Sequence, residues 1–171
     1  MSKFKIAGMM ALIAFAMGIV LMGDALAQQK TLKEQLVGTW TLVSNDVVAP
    51  DGTRRPNFGP NPKGILIIDA NGRYAQIQLN PNRPKFKGKT RLEGTSEENK
   101  AVVQATSASF GMWSVNEADK SAIQNVEFHI FPNDDGRNVK FSITLTGDEL
   151  KYTNPSASAG GIVEAVYKRA K

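Results

Sequence analysis

The stretch Gly64–Ala70 (GILIIDA), Asn71-Gly72 and Arg73–Asn80 (RYAQIQLN) decides the fold class. In the second run Ala75, Ile77 and Leu79 share one side and Tyr74, Gln76 and Gln78 the other, as successive strand side chains do. Asn-Gly between two such runs supplies the two positive-φ residues of a type I′ turn, so the stretch predicts a β-hairpin. The preceding strand, Ile65-Leu66-Ile67-Ile68, is apolar on both faces. That leaves open whether the Tyr74, Gln76 and Gln78 stripe lines a pocket or faces solvent.

The same alternation extends in both directions. Ala122–Phe131 and Val139–Thr146 read as a second hairpin across the connection 132–138. Val126, Phe128 and Ile130 form one apolar face, and Val139, Phe141, Ile143 and Leu145 another. Pairing those faces predicts a register with Ile130 opposite Val139, and gathers Glu127, His129, Lys140 and Ser142 on the reverse side. Gly38–Val47, Phe110–Asn116, Glu149–Thr153 and Ile162–Arg169 bring the total to about eight strands, at the spacing of an all-β barrel or sandwich. Asp51-Gly52 and Pro56–Pro62 read as a long loop at a barrel mouth. One segment differs. Thr95-Ser96-Glu97-Glu98 is a capping box, and the residues to about Ser107 predict one short helix, with Glu97 and Glu98 at its positive end.

Composition removes whole classes of chemistry. The 171 residues include no Cys and one His, which excludes disulfide scaffolds, thiol nucleophiles, zinc fingers and multi-His metal sites. Asp134-Asp135-Gly136 lacks the ligand spacing of a calcium loop and reads as a turn. No Gly-x-Gly-x-x-Gly, Walker or Gly-x-Ser-x-Gly pattern occurs, so no cofactor and no metal are expected. A net charge of +5 is too small and dispersed to imply nucleic acid.

The first 27 residues are built differently. Lys3 and Lys5 precede an uncharged run, Ile6 to Met22, which ends at Ala25-Leu26-Ala27 with small residues at positions −3 and −1. This pattern predicts a signal peptide cleaved after Ala27; the alternative is a retained membrane anchor, for which the run from Ile6 to Met22 is at the short edge of a span. The expected product is a bacterial periplasmic or secreted protein of one domain, residues 28–171.

Several side chains are candidates for function. His129 is the one group suited to acid–base work near neutral pH, and Glu127 two residues away would orient it if both faced a cavity. The same alternation equally describes a wetted barrel exterior. Tyr74, Gln76, Gln78, Phe110, Trp113 and Phe128 are candidates to line a ligand pocket. Arg83, Lys85, Lys87, Lys89 and Arg91 repeat with period 2 and form either a cationic lip for an anionic headgroup or envelope lipid, or a solvated loop.

A series of motifs resembles a known family. Leu36-Val37-Gly38-Thr39-Trp40-Thr41-Leu42-Val43-Ser44 is similar to the opening Gly-x-Trp strand of lipocalins, and more closely to that of the bacterial lipocalin-like domain family. The likeness continues through Asp69-x-Asn71-Gly72-x-Tyr74, Asn82-Arg83-Pro84-Lys85-Phe86, Gly94-Thr95-x-Glu97-Glu98, Phe110-Gly111-x-Trp113, Phe131-Pro132-Asn133 and Gly147-Asp148-x-Leu150. It implies an up-and-down antiparallel barrel with a central cavity for a small, mainly hydrophobic ligand, and one helix beside it. It also implies that Trp40 closes one end beneath a basic residue of the last strand, Arg169 or Lys168, with Gly38 a structural residue of the same opening motif. The chain departs from the family at Gln124 and Asn125, where relatives often carry His, and at Asp134, where they often carry Trp. An isomerase or cyclase using His129 and Glu127, and a solid structural barrel, are the alternatives.

Overall fold

The computed structural model describes residues 30–171, and the expected signal segment lies outside them. A short helix α1 (Leu32–Leu36) leads into β1 (Gly38–Val48), β2 (Arg54–Pro56), β3 (Lys63–Ile68) and β4 (Arg73–Leu79). Helix α2 (Ser96–Gln104) follows, then β5 (Thr106–Asn116), β6 (Ser121–His129), β7 (Asn138–Thr146), β8 (Glu149–Asn154) and β9 (Ile162–Arg169). All pairings are antiparallel. Strands β3 to β9 pair in sequence order, and β1 pairs with both β3 and β9, so eight strands close into a barrel while β2 adds a short flap to β1. Closure removes the exposed strand edges that an open sheet would present.

The helix at 95 forms as the capping box requires. Thr95 Oγ1 accepts from Glu98 N–H, and Glu98 Oε2 accepts from Thr95 N–H. α1 uses the same device at Thr31 and Glu34. It was not among the predicted elements, because five residues are too few to show periodicity.

The β3–β4 hairpin is as expected, but its turn is not type I′. Asp69 N–H donates to Arg73 O and Gly72 N–H to Asp69 O, leaving Ala70, Asn71 and Gly72 as a three-residue loop. Only Gly72 takes a positive φ, 89°. The Asp69 carboxylate accepts from Asn71 and Arg73 N–H at 2.7 and 3.1 Å, which holds Asn71 out of the left-handed region and leaves that conformation to glycine.

The second hairpin departs further. Gln124, not Ile130, lies opposite Val139, a slide of six residues along β6. Pairing with β7 ends at Asn125 opposite Asn138, because the connection folds through a short turn at Pro132–Asp134 and takes up the residues before it. On its other side β6 carries a β-bulge: Phe110 pairs with Phe128, but the next residue, Gly111, pairs with Val126. Glu127 is the extra residue. Beyond it the strand leaves β7, and Val126 exchanges hydrogen bonds with Gly136 and Arg137 of the connecting loop instead. A bulge reverses side-chain parity, so Val126 and His129 point inward while Glu127 and Phe128 point outward. Gly111 allows it: a Cβ there would lie 2.1 Å from Asn125 O.

The core lies at the end where β1 begins. Leu36, Trp40, Leu66, Ile68, Tyr74, Trp113, Leu150 and Tyr167 pack together there, and their apolar area removed from water is the main stabilising term. Trp40 Nε1 donates to Leu36 O and Trp113 Nε1 to Asp69 O, so neither indole N–H is buried without a partner. The Arg169 guanidinium stands 4.1 Å from the Trp40 ring and donates to Val37 O and Gln35 O. It passes over Gly38, where a Cβ would meet Arg169 Nη1 at 3.0 Å. Gly38, Trp40 and Arg169 thus meet in one contact at this end.

Candidate ligand-binding site

Inward residues change size along each strand, and this makes the cavity. On β5 they run Ser107, Ser109, Gly111, Trp113 from the open end to the closed one. Where serines replace tryptophan the walls no longer meet. The result is a cavity of about 570 Å³, bounded at the mouth by Phe58, the end of α2 (Val103, Gln104), Phe131 and the 157–159 loop.

Its floor is a polar cluster. Gln76 Nε2 donates to Tyr152 Oη at 2.8 Å and Tyr167 Oη at 3.1 Å. Gln78 Nε2 donates to Tyr152 Oη at 3.0 Å and also to Tyr167 Oη. Asn45 Nδ2 donates to Gln78 Oε1 at 2.6 Å, while Asn45 Oδ1 has no partner. Gln78 is 2% exposed and Asn45 3%. Burial raises the pKa of Tyr152 and, further, that of Tyr167, because the phenolate would lose its hydration. Both hydroxyls stay protonated through the neutral range. Val126 on β6, Val139 and Phe141 on β7 and Val163 on β9 add apolar surface to the same space, interrupted by Gln124 opposite Val139.

His129 enters the cavity from β6. Its Nδ1 accepts from Phe131 N–H at 2.9 Å, so the neutral ring carries its proton on Nε2, which lies 3.3 Å from Ser107 Oγ. Asp134 Oδ2 is 4.0 Å from Nδ1 and Asp134 is paired to Arg137. Ser107, His129 and Asp134 thus resemble a catalytic triad in composition only. In a triad Nδ1–H faces the carboxylate and Nε2 takes the serine proton; here the backbone N–H of Phe131 imposes the opposite tautomer.

The predicted site residues divide. Gln76 and Gln78 line the cavity; Tyr74, from the same stripe, and Trp113 pack the closed end below it. Phe110 and Phe128 do not line it: they are 43% and 45% exposed and stack on each other outside the barrel, centroids 5.4 Å apart. The bulge turned Phe128 out, and strand pairing carried Phe110 with it. Glu127 does not meet His129; it forms two hydrogen bonds with Arg73 on the outer surface, at 3.0 and 2.9 Å. Lys140 is also outside, paired to Asp119. Arg83, Lys85, Lys87, Lys89 and Arg91 are exposed on the connection between β4 and α2, and none lines the cavity. Glu98 and Glu93 carboxylates accept from the backbone N–H groups of Lys87 and Lys89 and hold the segment in its fold.

Asn45, Ser107, Asp134 and Tyr152 were not among the predicted residues. Tyr152 was readable, since it shares the alternation of Leu150. Asn45 was not, because a register shift between Leu42 and Ser44 reverses the parity of β1 just before it.

The fold is thus a closed antiparallel barrel, packed at one end and hollow at the other. The chain belongs to the lipocalin-like domain family, whose sequence model matches residues 37–165. No curated protein matches it significantly. Among solved structures it is similar to a mutant of the fluorescent protein UnaG, at 13% identity and a TM-score of 0.35, with 80% of this chain and 97% of that one covered. It is also similar to fatty-acid-binding protein 1 of Echinococcus granulosus, at 16% identity and a TM-score of 0.38, covering 81% and 99%.

Proposed function

We propose that this is an exported protein that holds a small amphipathic molecule in the open half of the barrel. The observation that carries the reading is the cavity of about 570 Å³ lined by both apolar and uncharged polar side chains. A volume of this size suits one small ligand. Its apolar body packs against Val126, Val139, Phe141 and Val163, and its polar end reaches Gln76, Gln78 and Tyr152. The mainly hydrophobic ligand expected of the family matches these four apolar side chains, and the amide–tyrosine floor adds direction to it. Lys3, Lys5, the uncharged run Ile6 to Met22 and Ala25-Leu26-Ala27 support export.

The test is native mass spectrometry of the protein isolated from its own cell envelope, followed by organic extraction. The expected result is a reproducible bound mass that is lost on denaturation, on a chain beginning at Gln28. A ligand-free mass, together with no uptake of any amphiphile by the purified protein, would overturn the binding reading. A chain that retains Met1 and stays in the cytoplasm would overturn export alone.

A further inference from the structure

The connection between β4 and α2 carries the longest series of like charges in the chain. Pro81 to Leu92 hold Arg83, Lys85, Lys87, Lys89 and Arg91 and no acidic residue. All five basic residues are exposed, and none forms an ion pair among the described residues. Glu98 lies near enough to Lys87 to feel its charge, but its oxygens accept from the backbone N–H groups of Lys87 and Thr95. The segment is nonetheless built. Glu93 Oε2 accepts from Lys89 N–H at 2.8 Å, and Asn99 Nδ2 donates to Gly94 O at 3.1 Å. Phe86 packs over Gly94, where a Cβ would meet its ring at 2.4 Å. Yet Leu92 is 89% exposed. The segment shelters one apolar side chain and presents another.

Both ends of this excursion are tied to the hollow end of the barrel. Asn80 N–H donates to Ala105 O at 2.9 Å, and the last turn of α2 sets Val103 on the cavity rim. Val103 and Phe131 line the cavity and are also exposed to solvent, and Arg55 of β2 stands at the same rim. The acidic groups of that end are matched: Asp134 by Arg137, Asp46 and Glu164 by Arg54. Unneutralised cations beside exposed apolar tips are what a peripheral membrane surface presents. The cations are drawn to anionic headgroups, and the tips enter between them.

We infer that the hollow end docks on an anionic phospholipid bilayer through Arg83, Lys85, Lys87, Lys89 and Arg91, with Leu92 set among the headgroups, so that an amphipathic molecule passes between bilayer and cavity. The choice of a lipid surface over another polyanion rests partly on the small-molecule reading above, since an amphipathic ligand has its reservoir in a bilayer. It rests also on Leu92, which an acidic polymer gives no apolar place to go.

Co-sedimentation of the protein isolated from its cell envelope tests this. Vesicles of phosphatidylcholine are compared with vesicles of equal parts phosphatidylcholine and phosphatidylglycerol. Binding should be at least about tenfold tighter to the anionic vesicles, and the preference should fade as salt rises from about 0.1 M to about 1 M. Replacing three charges together, Lys85→Gln, Lys87→Gln and Lys89→Gln, should weaken binding about a hundredfold, at about fivefold per charge. It should leave uptake of Nile red, an uncharged probe, by the cavity unchanged. Leu92→Ser should weaken vesicle binding severalfold. Equal binding to both kinds of vesicle, binding to neither, or undiminished binding by the triple variant would overturn the inference; if Nile red is still taken up, the ligand-binding reading stands. Refusal of Nile red by a protein that binds anionic vesicles would overturn that reading alone. Duplex DNA bound as tightly as the anionic vesicles, with no effect of Leu92→Ser on either, would overturn the lipid assignment, since the run would then read charge alone.

Discussion

The two ends of this barrel share their strands and differ in the size of the side chains that point inward. At the closed end each indole N–H and the Arg169 guanidinium meet backbone carbonyls, and the aromatic rings fill the space. At the open end small inward side chains leave a void, floored by the amides and hydroxyls of Asn45, Gln76, Gln78 and Tyr152. A closed barrel of eight strands has nearly fixed girth, so side-chain volume alone decides which stretch is solid. The solid end holds the fold together, and the hollow end is free to be specific.

The comparison can be broken most forcefully at Trp40. Trp40→Ala should cost about 3–5 kcal/mol in urea unfolding, because it empties the best-packed site and strips Arg169 of its ring partner. A smaller loss would mean that the closed end is less solid than its packing implies. Next comes Gly111→Ala, where the added methyl meets Asn125 O. It should destabilise by about 1–3 kcal/mol and disturb backbone amide signals of β6 more than those of β7 and β8.

Alkaline pH separates the ends differently. Tyr152 and Tyr167 have hydroxyl pKa values raised above 10.0 by burial. Unfolded tyrosines ionise first, so the stability they confer is complete below about pH 10 and falls as pH rises past it. Tyr167→Phe should flatten that fall in a series of urea titrations. Thr95→Ala removes the cap of α2 and should cost about 1 kcal/mol locally. Since α2 buries no residue, the change should appear in amide exchange of 96–104 rather than in the melting temperature. Glu127→Gln should have the smallest effect, about 0.2–1 kcal/mol, as befits an exposed ion pair, and should leave ligand uptake unaltered. A change in uptake would place Glu127 in communication with the cavity despite its outward position.

Alternation was enough to predict most of the strands and the barrel class, because period-2 patterning and Gly-containing turns are local. Gln76 and Gln78 were legible as candidates for the same reason. Failures cluster where one inserted residue reverses parity. The bulge at Glu127 leaves no compositional mark; its trace is Gly111 on the neighbouring strand, which is meaningful only once β5 and β6 are known to pair. That bulge removed Phe110 and Phe128 from the candidate pocket and separated Glu127 from His129. The irregularity after Leu42 hid Asn45 in the same way. The tautomer of His129 depends on a backbone N–H two residues ahead, a relation that no list of side chains contains.

The pairing of β1 with β9 brings the two ends of the described barrel together: Ala170 N–H donates to Thr39 O, and Arg169 reaches Gln35 O. Both ends therefore emerge on the solid side, away from the mouth. Joining Lys171 to Thr31 through a short linker and reopening the chain in the exposed 81–90 connection would give a circular permutant with all its strand pairs intact. For the same reason, a tether or reporter fused after Lys171 leaves the entrance clear, so the barrel can be fixed to a surface with its mouth turned toward the solution.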